Sequence, residues 1–115
     1  MRIILDTNFL IDCAKLKIDY QEQLKHHELF VLDAIIGELE KLIKQKKAKH
    51  AKLALQILRH KGIKVIKTEK KLDVDSLLAE LKNYAIATAD KELKKRLMNK
   101  KIFVIRQKKY IEEIK

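Results

Sequence analysis

The sequence predicts an α/β fold in which helices cover both faces of a central parallel sheet of about four to five strands. Three observations carry that reading. Short, nearly continuous apolar runs alternate with amphipathic stretches along all 115 residues. Nothing between them reads as a linker, a repeat or a low-complexity segment. Polar and acidic residues stand where apolar runs end. Such alternation implies βαβ crossovers and hence a parallel sheet buried on both faces. A single domain over residues 1–115 follows from the length and the unbroken pattern.

The elements can be justified in chain order. Arg2–Leu5 is the first strand, and after Asp6-Thr7-Asn8 the pattern becomes helical over Phe9–Lys15. His27 marks a turn before a second strand, Leu29–Leu32. From Asp33 to about Lys46, Ile35, Ile36, Leu39, Leu42 and Ile43 form one helical stripe. A further helix from about Lys49 to His60 is expected to bury Leu53, Ile57 and Leu58, with Gly62 stopping it. Ile63–Ile66 is the third strand. Val74, Leu77, Leu78 and Leu81 then recur at i, i+3, i+4 and i+7, the spacing of a short helix. Tyr84–Ala87 and Ile102–Ile105 complete the strands. They flank a mostly basic helix from Lys91 to about Asn99, with Leu93 and Leu97 as its apolar contacts.

Composition narrows the function. Lys and Arg number 27 against 16 Asp and Glu, a formal charge of +11. A cation of this size favours an anionic partner, nucleic acid ahead of a membrane surface. The basic residues gather between Lys41 and Lys71 and between Lys91 and Lys109. No run approaches the roughly 18 apolar residues of a membrane span. The N-terminal run ends in an acid and does not read as a signal peptide. One cysteine, Cys13, permits no internal disulfide, so an intracellular, cytoplasmic location is the default. Cys13 itself reads as a small core residue. The four histidines lack zinc-site spacing, and no Gly-rich phosphate loop is present.

Against this cationic background stand Asp6, Glu38, Asp75 and Asp90. In a parallel α/β sheet the ligand site lies beyond the carboxyl ends of the strands, where Asp6 and Asp90 fall. Helix capping accounts for any one of Asp6, Thr7 and Asn8, and equally for Asp90 before Lys91. It does not account for three polar groups together at Asp6-Thr7-Asn8, which a metal ligand with a hydroxyl and an amide to orient it would explain. Spacing alone leaves two choices open. Glu38 and Glu40 flank the same apolar stripe, and Asp73 and Asp75 both lie at the start of the short helix. Carboxylates gathered together repel one another, and their cost makes sense around a cation. Oxygen donors of this kind suit Mg²⁺ or Mn²⁺, which serve phosphodiester hydrolysis by activating water and neutralising charge.

Ile3-Ile4-Leu5-Asp6-Thr7-Asn8, Gly37-Glu38-Leu39-Glu40, Val74-Asp75-Ser76 and Ala87-Thr88-Ala89-Asp90 together resemble the PIN-domain nucleases. The resemblance spans nearly the whole chain. It is nearest to archaeal proteins akin to the rRNA-processing branch, through Glu38-Leu39-Glu40-Lys41-Leu42 and Val104-Ile105-Arg106-Gln107-Lys108-Lys109-Tyr110. It implies a three-layer α/β/α sandwich and a Mg²⁺- or Mn²⁺-dependent endoribonuclease. Asp6, Glu38 and Asp90 take the first, second and fourth ligand positions. Asp75 takes the third, with Asp73 as its substitute. Related sequences often carry adjacent acids before this helix, where this chain has Asp73-Val74-Asp75-Ser76.

On this reading water attacks phosphorus in line and leaves a 5′-phosphate and a 3′-hydroxyl. Asn8 and Thr88 hold the carboxylates in position. Lys44, Lys47, Lys94, Lys95 and Arg96 contact RNA, and Lys15 and Lys17 are expected to lie off that track. Tyr110 is either a base-stacking residue or part of the sheet edge. The setting is rRNA maturation or the toxin half of a toxin–antitoxin pair, with a homodimer, a ribonucleoprotein or an antitoxin as protein partner. The rival is a binding module that keeps the fold and docks RNA without cleaving it.

Overall fold

Ile3, Ile4 and Leu5 are fully buried, and their strand β1 (Arg2–Leu5) runs through the middle of a six-stranded sheet. The structure is a computed structural model and describes residues 1–68, 73–97 and 100–114. After β1 come α1 (Thr7–Leu16), α2 (Tyr20–Gln23), β2 (Glu28–Leu32), α3 (Asp33–Gln45), α4 (Ala51–His60) and β3 (Lys64–Ile66). Then follow α5 (Val74–Glu80), β4 (Ala85–Ala87), α6 (Lys91–Arg96), β5 (Ile102–Arg106) and β6 (Tyr110–Ile114). Lys71 and Asn99, named above as limits of a basic run and a helix, lie outside the described residues.

The strand order is β3-β2-β1-β4-β5-β6, with the first five strands parallel and β6 antiparallel to β5. The chain first steps outward from β1 to β2 and β3, then returns across β1 to β4 and β5. Direction therefore reverses between β1 and β4, a doubly wound arrangement whose switch point opens a crevice at the strands' carboxyl ends. Right-handed crossovers set the helices of the two halves on opposite faces. On one face α1, α3 and α4 pack against each other.

The expected α/β architecture with a central parallel sheet is present. The addition is β6, joined to β5 by a tight turn. Lys109 N donates to Arg106 O at 3.0 Å, while Gln107 and Lys108 take φ of 51° and 56°. Two successive positive φ values define a type I′ hairpin turn, more often filled by Asn-Gly. Gln23 of α2 pins the hairpin from the side. Its amide nitrogen donates to Lys109 O at 3.0 Å, and its oxygen accepts from Ile111 N at 2.7 Å.

The core is the predicted one in most places. Ile35 and Leu39 of α3 are buried, as are Val74, Leu77 and Leu78 of α5 and Leu93 and Leu97 at α6. Cys13 is buried too, and that burial pushes its thiol up to about 12. The face expected of α4 needs correction. It buries Ala51, Ala54, Leu55 and Leu58, at i, i+3, i+4 and i+7, and leaves Leu53 43% exposed. Alanines at that seam let α4 come close to α1 and α3, which turns Leu53 outward. No helix among the described residues is long and apolar enough to cross a membrane.

Candidate active-site cleft

At the switch point the first strand delivers Asp6 beyond its last apolar residue. Asp6 N donates to Ala87 O at 2.9 Å, so β1 and β4 are still paired where the acid emerges. Asp6 occupies the N-cap position of α1, yet its side chain makes no capping bond there. It accepts instead from the Thr88 hydroxyl at 2.8 Å, across from the end of β4. Thr88 is fully buried and Asp6 is only 5% exposed. Burial, seconded by the charges of Glu38 and Asp75, pushes the Asp6 carboxyl up to about 6, against the pull of Thr88 and the Thr7 amide.

Asp6, Glu38, Asp75 and Asp90 line one cleft of about 380 Å³ together with Asn8, Lys41 and Lys47. Glu38 reaches it from α3, and its Oε1 accepts from the Thr7 hydroxyl at 2.5 Å. Glu40, its rival in the helical pattern, is exposed and pairs with Arg59 of α4 at 3.7 Å. The two acids around α5 also part company. Asp73 caps the helix by accepting from Ser76 N at 2.8 Å, whereas Asp75 lies in its first turn and faces the cleft. Asp90 both lines the cleft and caps α6, accepting from Glu92 N at 2.9 Å and Leu93 N at 3.3 Å. Its own N–H donates to the Thr88 hydroxyl oxygen at 3.1 Å. Thr88 thus ties two of the four acids together.

Thr7, read from sequence as a hydroxyl orienting the ligand beside it, holds Glu38 instead, and Asn8 stands exposed in the same cleft. One acid was not singled out by sequence. Asp33 is a further acid at a strand end, after β2, and it is engaged elsewhere. It accepts from the Thr68 hydroxyl at 2.6 Å and from Thr68 N at 3.1 Å, which clamps the segment after β3.

The basic residues fall out differently from their order in the chain. Lys47 lines the cleft with Lys41, and Lys44 is exposed on the last turn of α3. Arg96 lies 3.7 Å from Asp75 and donates to Ser76 Oγ at 3.5 Å, so its guanidinium is partly engaged by the cleft's own acid. Lys95 pairs with Glu92 at 3.9 Å on the exposed side of α6. Lys94 opens into a neighbouring groove, and Lys15 lines that same groove. Lys15, expected off the track, thereby lines one groove with Lys94. Tyr110 opens β6 and is exposed at the sheet edge.

The donors of the cleft are carboxylates, with no thiol or imidazole among its lining residues. That set suits a hard divalent cation. Among the described residues no three His, Cys, Asp or Glu side chains are gathered tightly enough to hold an ion as they stand. The fit is therefore one of chemistry: buried, charge-crowded Asp6 faces further carboxylates across a space wide enough for waters and phosphate oxygens. Mg²⁺ characteristically keeps such ligands beside one or two carboxylates.

Residues 3–109 match the model of a family described as the PIN-like domain. The chain is 37% identical to "Ribonuclease VapC4" of Methanocaldococcus jannaschii over 128 aligned positions, covering 96% of this chain and 95% of that protein. Its fold is similar to the PIN domain endonuclease Utp24, with a TM-score of 0.82 at 27% identity, over 97% of this chain and 90% of that one. A domain of a functionally unknown protein from Methanocaldococcus jannaschii shares the fold, with a TM-score of 0.70 at 16% identity, over 99% of this chain and 96% of the other.

Proposed function

The chain belongs to the PIN-like domain family, and from that premise we propose that it is a divalent-metal-dependent endoribonuclease. The observation that carries the proposal is the convergence of Asp6, Glu38, Asp75 and Asp90, from four separate elements, on one cleft rimmed by lysines. The names of its relatives, a ribonuclease and an endonuclease, support the same reading.

Asp6 is the principal holder of Mg²⁺ or Mn²⁺, with Asp75, Asp90 and Glu38 as further oxygen donors. The cation, when bound, neutralises charge on the phosphodiester and acidifies a water. The remaining work belongs to the protein. The Thr88 hydroxyl fixes the direction of the Asp6 carboxylate, and the Thr7 hydroxyl fixes Glu38, which orients the attacking water. Lys41 and Lys47 receive phosphate oxygens at the rim and offset the repulsion between RNA and the acids. Water attacks phosphorus in line, and the bond to the 3′ oxygen breaks to give a 5′-phosphate and a 3′-hydroxyl.

The test is Asp6→Asn, which keeps shape and removes charge. The variant should retain the fold by circular dichroism and lose Mn²⁺-dependent cleavage of RNA. Undiminished cleavage would remove Asp6 from the mechanism. Two settings suit such an enzyme, rRNA maturation and a toxin–antitoxin pair, and sequencing RNA crosslinked to the protein in cells separates them. A second reading, an RNA-docking module without catalysis, draws on the Arg96–Asp75 pair, which partly neutralises one acid. Strong RNA binding indifferent to EDTA, with no cleavage in Mn²⁺, would select it.

A further inference from the structure

We propose that the groove between α1, α6 and the β5–β6 turn is a second substrate site, which grips the phosphates of the RNA strand running out of the acidic cleft. The proposal rests on the ribonuclease reading and extends it to where the substrate lies. The groove is adjacent to the cleft by construction. Thr88 and Ala89 line it, while Asp90 lines the cleft, so the end of β4 is the wall the two share. Thr88, at that shared wall, bonds Asp6 with its hydroxyl.

Three lysines from three elements line the groove: Lys15 of α1, Lys94 of α6 and Lys108 of the hairpin turn. A single carboxylate, Asp12, is present, one turn before Lys15 on the same helix. Lys94 and Lys108 stand in no ion pair among the described residues. The lysines are far apart in sequence, so a run of charge on one helix does not explain their meeting. Electrostatic attraction between a polyanion and such a cluster supplies affinity with no demand on base sequence.

The hairpin turn is held in an uncommon conformation beside the groove. Gln107 and Lys108 both adopt left-handed backbone, which costs a non-glycine residue roughly 1–2 kcal/mol. Glycine or asparagine would relieve it. Strained residues of this kind persist where surrounding structure holds them, often at ligand clamps. Here the holder is Gln23, whose amide makes both of its bonds to the hairpin just past the turn. The result is a turn held from the side by Gln23, with Gln107 and Lys108 both lining the groove.

The experiment measures binding of a fluorescent twelve-nucleotide single-stranded RNA in EDTA, by anisotropy across a range of salt. Lys15→Gln combined with Lys108→Asn removes two charges, and asparagine tolerates the left-handed turn. Lys82→Gln combined with Lys101→Gln removes the same charge at the opposite, amino-terminal end of the strands. Two lost phosphate contacts should lower the salt slope by roughly 1.4, which at 0.1 M salt is a weakening of roughly 25-fold. The control pair should change the slope little. Equal losses from the two pairs, or no loss from the first, would overturn the proposal. Thermal melts of both doubles establish that each is folded. Cleavage in Mn²⁺ is scored separately: a wild type that binds through this groove without cleaving would sink the ribonuclease reading and leave the groove standing.

Discussion

Neutralising Asp6 should make the protein more stable, and only above a definite pH. The carboxyl is nearly buried and accepts one hydroxyl bond, and burial with two neighbouring acids raises its proton affinity from an ordinary 3.8 to about 6. The folded chain therefore holds this proton more tightly than the unfolded chain does. A raised carboxyl contributes stability that is fully present below the unfolded value near 4 and is lost as the pH rises through about 6. Two units of displacement at 1.36 kcal/mol each give a loss of about 3 kcal/mol at neutral pH. Asparagine cannot ionise and retains an oxygen to accept from Thr88, so Asp6→Asn escapes the loss. The variant and the wild type should unfold alike in urea near pH 4. They should diverge through pH 6, with the variant ahead by up to about 3 kcal/mol at pH 8, or roughly 10 °C in melting temperature. The measurement is made in EDTA, because a bound cation would stabilise the wild type and hide the effect. A gap that stays flat from pH 4 to pH 8, or a variant less stable at pH 8, would refute the placement of an ionised Asp6 in a crowded, desolvated pocket.

Two further outcomes follow from neighbouring residues. Asp90→Ala should cost about 1 kcal/mol in metal-free stability because the carboxylate caps α6, while Asp90→Asn, also a good cap, should cost little; equal losses in chemical denaturation would show that the cap is not what Asp90 contributes. Thr88→Val removes the hydroxyl that holds the Asp6 proton affinity down, so Mn²⁺ affinity, which requires the deprotonated acid, should reach its half-maximal value at a higher pH than in the wild type, as followed by calorimetric titration. An unmoved midpoint would mean that Thr88 does not set the charge state of Asp6.

The parallel strands were legible because each is an apolar run, a pattern that survives without knowledge of partners; β1 and β4 are buried throughout or nearly so, whereas β3 at the sheet edge leaves Lys64 and Val65 exposed. β6 was not legible. Its sequence Tyr110-Ile111-Glu112-Glu113-Ile114 breaks alternation, and its turn lacks the glycine or asparagine that announces a hairpin. α2 spans four residues, too few to show a period. Within the cleft, one helical wheel leaves Glu38 and Glu40 equivalent. Their difference lies in Thr7 and Arg59, which stand 31 positions before Glu38 and 19 after Glu40 in the chain. The same holds for the cations. Proximity along the chain grouped Lys94 with Arg96, whereas folding turns Arg96 toward Asp75 and sets Lys94 beside Lys15 and Lys108.

The bond between Thr88 and Asp6 joins residues 82 positions apart. A ribosome adding roughly 5–20 residues each second exposes Asp6 seconds before the strand that completes its surroundings exists. During that interval the amino-terminal half has Asp6 and Glu38 but neither Thr88 nor Asp90. Without β4 the first strand has no neighbour on that side, and the crevice between them has no second wall. The activity proposed here therefore arrives only after β4 and Asp90 have been made. A polypeptide terminated before β4 would lack one wall of the cleft and should be inert toward the RNA around it.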